Sequence, residues 1–151
     1  MRKVALRRAR SADAAAITAC VWQAYLPYVE RIGREPAPML ADYAEIIERR
    51  EVHAALCDDE VVGVIVLART SEGFCLDNIA VRPGSQGKGI GRLLLQLAES
   101  EAARQGFDSI YLYTNDLMTE NRTLYGSMGY VEYDHRVVDG YPRVFLRKSL
   151  T

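Results

Sequence analysis

An apolar run, Ile79-Ala80-Val81, stops at Arg82-Pro83, and three glycines then fall at alternate positions, Gly87, Gly89 and Gly91. A helical pattern begins at once, with Ile90, Leu93, Leu94, Leu97 and Ala98 recurring on one face. The order predicts a strand, a backbone cradle and a helix N-terminus in direct succession. The first turn of a helix leaves N–H groups without partners, and the positive end of the helix dipole lies there. Such a junction binds anions, so the expected ligand group is a phosphate or pyrophosphate.

The remaining pattern places this junction in a mixed α/β chain. Val4–Arg8 reads as a strand, followed by a helix from a Ser11 cap to Pro27, with Ile17, Val21 and Tyr25 at helical spacing. Tyr28–Met39 reads as a loop, and Asp42–Arg50 as a second helix. His53–Cys57 and Val61–Ala68 form a hairpin, and the second of these, apolar on both faces, is a central strand. Phe74–Val81 is the strand before the glycines, and the helix after them stops at Gly106. Ile110–Thr114 is a strand and Met118–Met128 a helix closed by Gly129. Tyr130–Val138 and Tyr141–Lys148 pair around the turn Asp139-Gly140. The expected fold is one α/β domain over residues 1–151, a mixed sheet in the order β-α-α-β-β-β-α-β-α-β-β.

Composition removes several function classes. The net charge of −1 leaves no clustered basic surface for a nucleic-acid backbone, and Arg7, Arg8 and Arg10 read as a solvated strand end. Cys20, Cys57 and Cys75 are odd in number and widely spaced, which argues against a disulfide framework or a zinc site, so no metal is expected. No run approaches the ~20 apolar residues needed to span a membrane, and no apolar core followed by a cleavage site opens the chain. The expected location is the cytoplasm, with no membrane or nucleic-acid partner. A homodimer stays open, as the common state of soluble oligomers.

Two phosphate-binding loops fail on residues. A dinucleotide fingerprint starting at Gly87 needs glycine where Arg92 stands, and a nucleotide P-loop needs Ser or Thr where Gly89 follows Lys88. What fits is Gln86-x-x-Gly89-x-Gly91 directly after a strand ending Ala80-Val81-Arg82-Pro83. The run Leu76 through Leu94 resembles the acyl-CoA-binding segment of the GNAT superfamily of N-acyltransferases. The resemblance implies that main-chain N–H groups of Gly87, Gly89, Ile90, Gly91 and Arg92 hold the pyrophosphate of acetyl-CoA. Ile79, Ala80, Val81, Gln86 and Lys88 complete that binding segment. Asn121-Arg122-Thr123-Leu124-Tyr125, closed by Gly129-Tyr130, resembles the family's second segment. It implies that Asn121 contacts the pantetheine or phosphate arm and that Tyr125 reaches the thioester sulfur. Spacing of four puts the two on one helix face.

Acetyl transfer needs a neutral amine, and an alkyl ammonium with a pKa near 10 is almost wholly charged at pH 7. Asp77 is the best-placed carboxylate, sharing a face with Ile79 and Val81 if the strand alternates regularly. Some family members carry a glutamate two residues earlier, where this chain has Cys75. Glu30 and Glu35 are alternatives, and His53 and His135 stay unassigned. By the same resemblance, a main-chain N–H near Ile79 would face the thioester carbonyl. The acceptor would enter between the first helix–loop–helix and the last hairpin, with Tyr25, Tyr28, Arg31, Arg34, Tyr141 and Arg143 as wall candidates. The arginines favour an acceptor bearing a carboxylate or phosphate.

The expected activity is transfer of acetyl from acetyl-CoA to a primary amine of a small molecule, by direct attack in a ternary complex. Two alternatives stand beside it: a protein or peptide acceptor, through its N-terminal amine or lysine, and a non-catalytic acyl-CoA-binding sensor.

Overall fold

A computed structural model describes residues 3–151. Its centre is a seven-stranded sheet in the order β1-β2-β3-β4-β5-β7-β6. The strands are β1 (Val4–Arg8), β2 (Glu51–Cys57), β3 (Glu60–Thr70), β4 (Gly73–Val81), β5 (Ser109–Asn115), β6 (Val131–Val138) and β7 (Tyr141–Ser149). All neighbours pair antiparallel except β4 and β5. The helices are α1 (Ala14–Tyr25), α2 (Val29–Ile32), α3 (Tyr43–Arg49), α4 (Ile90–Arg104) and α5 (Thr119–Ser127).

The expected element order holds, with two departures in the N-terminal quarter. Tyr28–Met39 is not an open loop: it carries the one-turn α2 and a 3-10 turn over Ala37–Leu40. Pro36 and Pro38, which signal a break in a sequence, here sit at the start of that turn, where a missing N–H costs nothing. The first helix also begins later than expected. Ser11–Asp13 is a 3-10 turn, and Asp13 closes it by accepting from the Arg10 main-chain N–H at 2.8 Å. Asp42 caps α3 through its carboxylate, accepting from the Ala44 and Glu45 N–H groups.

Helices cover both faces. Ile90, Leu94, Leu95, Ala98 and Ala102 of α4 pack on one face, with Ile65 and Leu67 of β3 and Ile110 and Leu112 of β5. Ile17, Cys20 and Val21 of α1 pack on the other, against Val64 and Val66 of β3. This explains why Val61–Leu67 is apolar at every position: β3 faces a helix on each side. Gly63 lets α4 approach, since a Cβ there would lie 3.1 Å from Ile90 Cγ2 and 3.2 Å from Leu94 Cδ1. Beyond β4 no helix among the described residues covers the α1 face. There Tyr111, Tyr113 and Phe145 are roofed by the guanidinium groups of Arg147, Arg143 and Arg136.

Candidate active site

The site exists because two parallel strands part company. β4 and β5 pair only at Phe74↔Ile110, Cys75↔Tyr111 and Leu76↔Leu112. Past Leu76 the strands diverge. A groove of about 460 Å³ opens on the side of the glycine cradle. A smaller pocket lies beside it, reaching toward the last hairpin. Tyr25, Ile79, Met118, Asn121 and Tyr125 line both.

The groove is built largely as the sequence predicts. Ile79, Ala80 and Val81 form one wall; Gln86, Gly87, Gly89, Ile90, Gly91 and Arg92 form the cradle; Asn121 and Tyr125 form the far side. Gly87 and Gly89 have φ of +79° and +81°, which only glycine adopts without strain. No atom lies within 4 Å of where a Cβ would stand at Gly87, Gly89 or Gly91, so the backbone faces open space. α4 starts at Gly89 with no side-chain cap, leaving its first N–H groups directed at the cradle. Gln86 braces the loop by donating to the Val81 carbonyl at 3.1 Å. A pyrophosphate and the arm attached to it fit this combination of charge, donors and space. Lys88 is the one predicted member that does not line the groove; its side chain is exposed.

Tyr125 is 4% exposed and packs edge-on against Tyr130. Burial pushes its phenol well above the usual range, so the hydroxyl stays protonated and is a hydrogen-bond donor at any ordinary pH. It stands where groove and pocket meet, with no hydrogen-bond partner among the described residues.

β4 itself departs from the regular alternation expected for Asp77. The β3–β4 register jumps from Val66↔Asn78 to Leu67↔Leu76, which leaves Asp77 as the extra residue of a β-bulge. Asp77 therefore does not share a face with Ile79. It turns to the α3 side with Asn78, while Ile79 packs toward the α4 side. Asp77 pairs with Arg50 and accepts from the Tyr113 hydroxyl, one oxygen to each. Burial, with the adjacent Asp77 charge second, holds the Tyr113 phenol far above its usual range.

Asn78 anchors the bulge. Its Oδ1 accepts from the Tyr25 hydroxyl at 2.7 Å, and its Nδ2 donates to the Tyr43 hydroxyl at 2.9 Å. Tyr43 in turn donates to the Pro38 carbonyl at 2.8 Å, tying the Ala37–Leu40 turn over the pocket. Asn78, Tyr43, Tyr113 and Arg50 were not singled out in the sequence. The available signal was Asp77-Asn78 itself: two poor strand formers inside an apolar strand imply a bulge and demand partners.

Other predicted residues move or drop out. Tyr25 reaches both cavities, and Tyr28 lines the groove rather than an acceptor wall. Arg31 lines neither: it is bound across the groove mouth to Glu120 at 2.8 Å and to the Leu117 carbonyl. A long, exposed side chain takes the nearest carboxylate, and α5 supplies one. Tyr141 lines the pocket, and its hydroxyl donates to the Glu35 carbonyl at 2.6 Å. Arg143 lines the pocket, with its guanidinium 4.4 Å from the Tyr113 ring centroid. The side chains of Glu30 and Glu35 line neither cavity. Cys75 is buried among Tyr111 and Phe145, and burial pushes its thiol up to about 12, so it offers no thiolate.

A family model for the acetyltransferase (GNAT) domain matches residues 48–132, more than half of the chain. The chain belongs to the GNAT acetyltransferase family. The match runs from α3 into β6 and so takes in the bulge, the cradle and α5 of this GNAT domain. An uncharacterized N-acetyltransferase of Bacillus subtilis (strain 168), YvbK, is 33% identical over 97 residues, covering 64% of this chain and 61% of that protein. Mycothiol acetyltransferase of Renibacterium salmoninarum is 26% identical over 92 residues, covering 61% of this chain and 24% of that protein. The chain thus spans less than two thirds of either relative. The PaiA N-acetyltransferase of Thermoplasma acidophilum, solved with coenzyme A, superposes with a TM-score of 0.82 at 18% identity, covering 97% of this chain and 99% of that one. The ribosomal-protein-S18-alanine N-acetyltransferase of Escherichia coli does so with 0.78 at 18% identity, covering 99% and 95%. At that distance the likeness is one of fold.

Proposed function

We propose that this GNAT domain transfers the acetyl group of acetyl-CoA to a primary amine of a small molecule. The observation that carries the reading is the junction at Tyr125: a phosphate cradle and groove on one side, a pocket holding Asp77 on the other, open to each other there. The cradle N–H groups of Gly87, Gly89, Ile90, Gly91 and Arg92 would hold the pyrophosphate, and Asn121 the arm.

The amine nitrogen attacks the thioester carbon, forming the C–N bond; the C–S bond then breaks and sulfur leaves as thiolate. Tyr125 donates a hydrogen bond to that sulfur. A thiol with a pKa of about 8.5 does not draw a proton fully from a phenol at ~10 or above, so the hydroxyl stabilises charge rather than transferring its proton. Asp77 attracts the ammonium and receives its first proton, directly or through water; the second, lost from nitrogen once the C–N bond has formed, passes through water to the departing thiolate, the stronger base at that stage. Arg50 and Tyr113 hold its two oxygens and so fix the direction from which a proton arrives. The bulge leaves main-chain groups out of the β3–β4 ladder, and an N–H near Ile79 would face the oxyanion.

Two features support a small acceptor over a peptide. The Ala37–Leu40 turn roofs the pocket, and the Tyr141–Glu35 hydrogen bond joins the last hairpin to the segment after α2. A peptide needs an open groove on that side. The engagement of both Asp77 oxygens is what favours a non-catalytic acyl-CoA sensor instead. Thiol release from acetyl-CoA in an amine panel tests the reading, and no release with any amine would leave the sensor. Gly89→Glu, which fills the cradle, should abolish both the release and the thermal shift caused by acetyl-CoA.

A further inference from the structure

The acceptor pocket continues, past Asp77 and Tyr113, into a space of about 210 Å³ roofed by Ala37 and Pro38 and floored by Ile46 and Val66. Roughly seven water volumes would fill it. That is room for a group of amino-acid size. Its charges do not cancel. Arg50 is committed to Asp77, while Arg143, which lines both cavities, has no acidic partner among the described residues. Arg34 sits beyond, its guanidinium 3.6 Å from the Tyr141 ring centroid, and it too lacks an acidic partner among the described residues.

Arg31, Arg122 and Arg136, on nearby elements, are each paired with a carboxylate. Arg143 and Arg34 instead lie on tyrosine faces that wall the acceptor pocket, with no hydrogen-bond acceptor among the described residues for their N–H groups. A stacked guanidinium is held in place and partly dehydrated, which strengthens its bond to an oxyanion. The lining around it is apolar on one side only, at Pro38, Ile46 and Val66.

We propose that the acceptor is an amine that also carries an oxyanion, a carboxylate above all, on a compact, partly apolar body. Arg143 binds the oxyanion directly, Arg34 adds its charge at the rim, and the amine end points to Tyr125 and the thioester. Arg143 is thus a specificity-determining residue. This rests on the acetyl-transfer reading for the position of the amine, but not for the binding of the oxyanion.

The test uses matched acceptors with acetyl-CoA and thiol detection: leucine, leucinamide and isoamylamine, with O-phosphoethanolamine against ethanolamine for a phosphate. Leucine should exceed leucinamide at least tenfold in kcat/KM. Arg143→Met should erase that ratio through KM, Arg143→Lys should restore part of it, and Arg136→Met should leave it unchanged. A preference for the phosphate over the carboxylate pair would reassign the oxyanion but keep Arg143 as its ligand. Equal or better rates with the neutral amines, or a ratio insensitive to Arg143→Met, would overturn the proposal. Calorimetric titration of leucine into the enzyme–CoA complex separates the two readings. Binding lost in Arg143→Met without turnover by the wild type would sink the enzyme reading alone; no binding and no turnover would sink the acceptor assignment as well.

Discussion

Tyr125 and Asp77 stand on opposite sides of the proposed transfer, and their replacements should fail differently. Tyr125→Phe removes one hydroxyl that has no partner among the described residues, so the fold and the affinity for acetyl-CoA should stay within about twofold. kcat should fall by roughly 10- to 100-fold, less than full proton transfer by a positioned acid would supply, because the hydroxyl only donates a hydrogen bond. Asp77→Asn should lower kcat/KM by about 100-fold at pH 7. The free-base fraction of an alkyl amine rises with pH toward ~10. The variant should therefore recover activity as pH climbs from 7 to 9.5, more steeply than the wild type. A flat profile for the variant would remove Asp77 from proton transfer. Gly89→Ala isolates conformation: a φ of +81° disfavours alanine even though space is open, so acetyl-CoA binding should weaken without a clash.

Elements explain what the sequence revealed and what it hid. The cradle was legible because each of its parts is local: an apolar strand, spaced glycines and an apolar helical stripe lie within sixteen consecutive residues, 79–94. The chamber beside it was not. It depends on a bulge at Asp77, whose existence is set by the pairing partner β3, and on residues from α3, β5 and β7 that meet only in the folded chain. Arg31 misled for the same reason, since Glu120 lies 89 positions away. The contact between β3 and α4 gives a direct test of packing. Gly63→Ala would place a methyl 3.1–3.2 Å from Ile90 and Leu94, a tight contact that both side chains must relieve by shifting a few tenths of an ångström. The cost should be about 1–3 kcal/mol, read as a drop of several degrees in Tm, with weaker acetyl-CoA binding as Ile90 shifts the first turn of α4.

At the scale of the whole molecule, stability should respond to pH and to ligand. The Arg7 hydrogen bond holds the Asp13 carboxyl at about 2, below its ordinary 3.8. Because the folded pKa is depressed, this contribution is complete above about pH 5 and is lost as pH falls through 2. Asp13→Asn should cost about 1 kcal/mol at pH 7, after allowance for screening, and only a small fraction of that at pH 2. Saturating acetyl-CoA at a hundred times its Kd should add about 2.7 kcal/mol, a rise of roughly 5–10 °C. A further consequence lies in the seam between β4 and β5. Only three ladder pairs join the first four strands to the last three, the rest of the seam being held by side-chain bonds such as Asp77–Tyr113 and Thr70–Tyr111, so the sheet is weakest along this line in the bare protein. Amide protons in 77–81 and 113–115 that point into the gap should exchange quickly with solvent. A ligand arm carrying its own amides, laid between the strands, would act as a temporary eighth strand. Exchange there would slow on binding, and the protein would be hardest to pull apart while its substrate is in place.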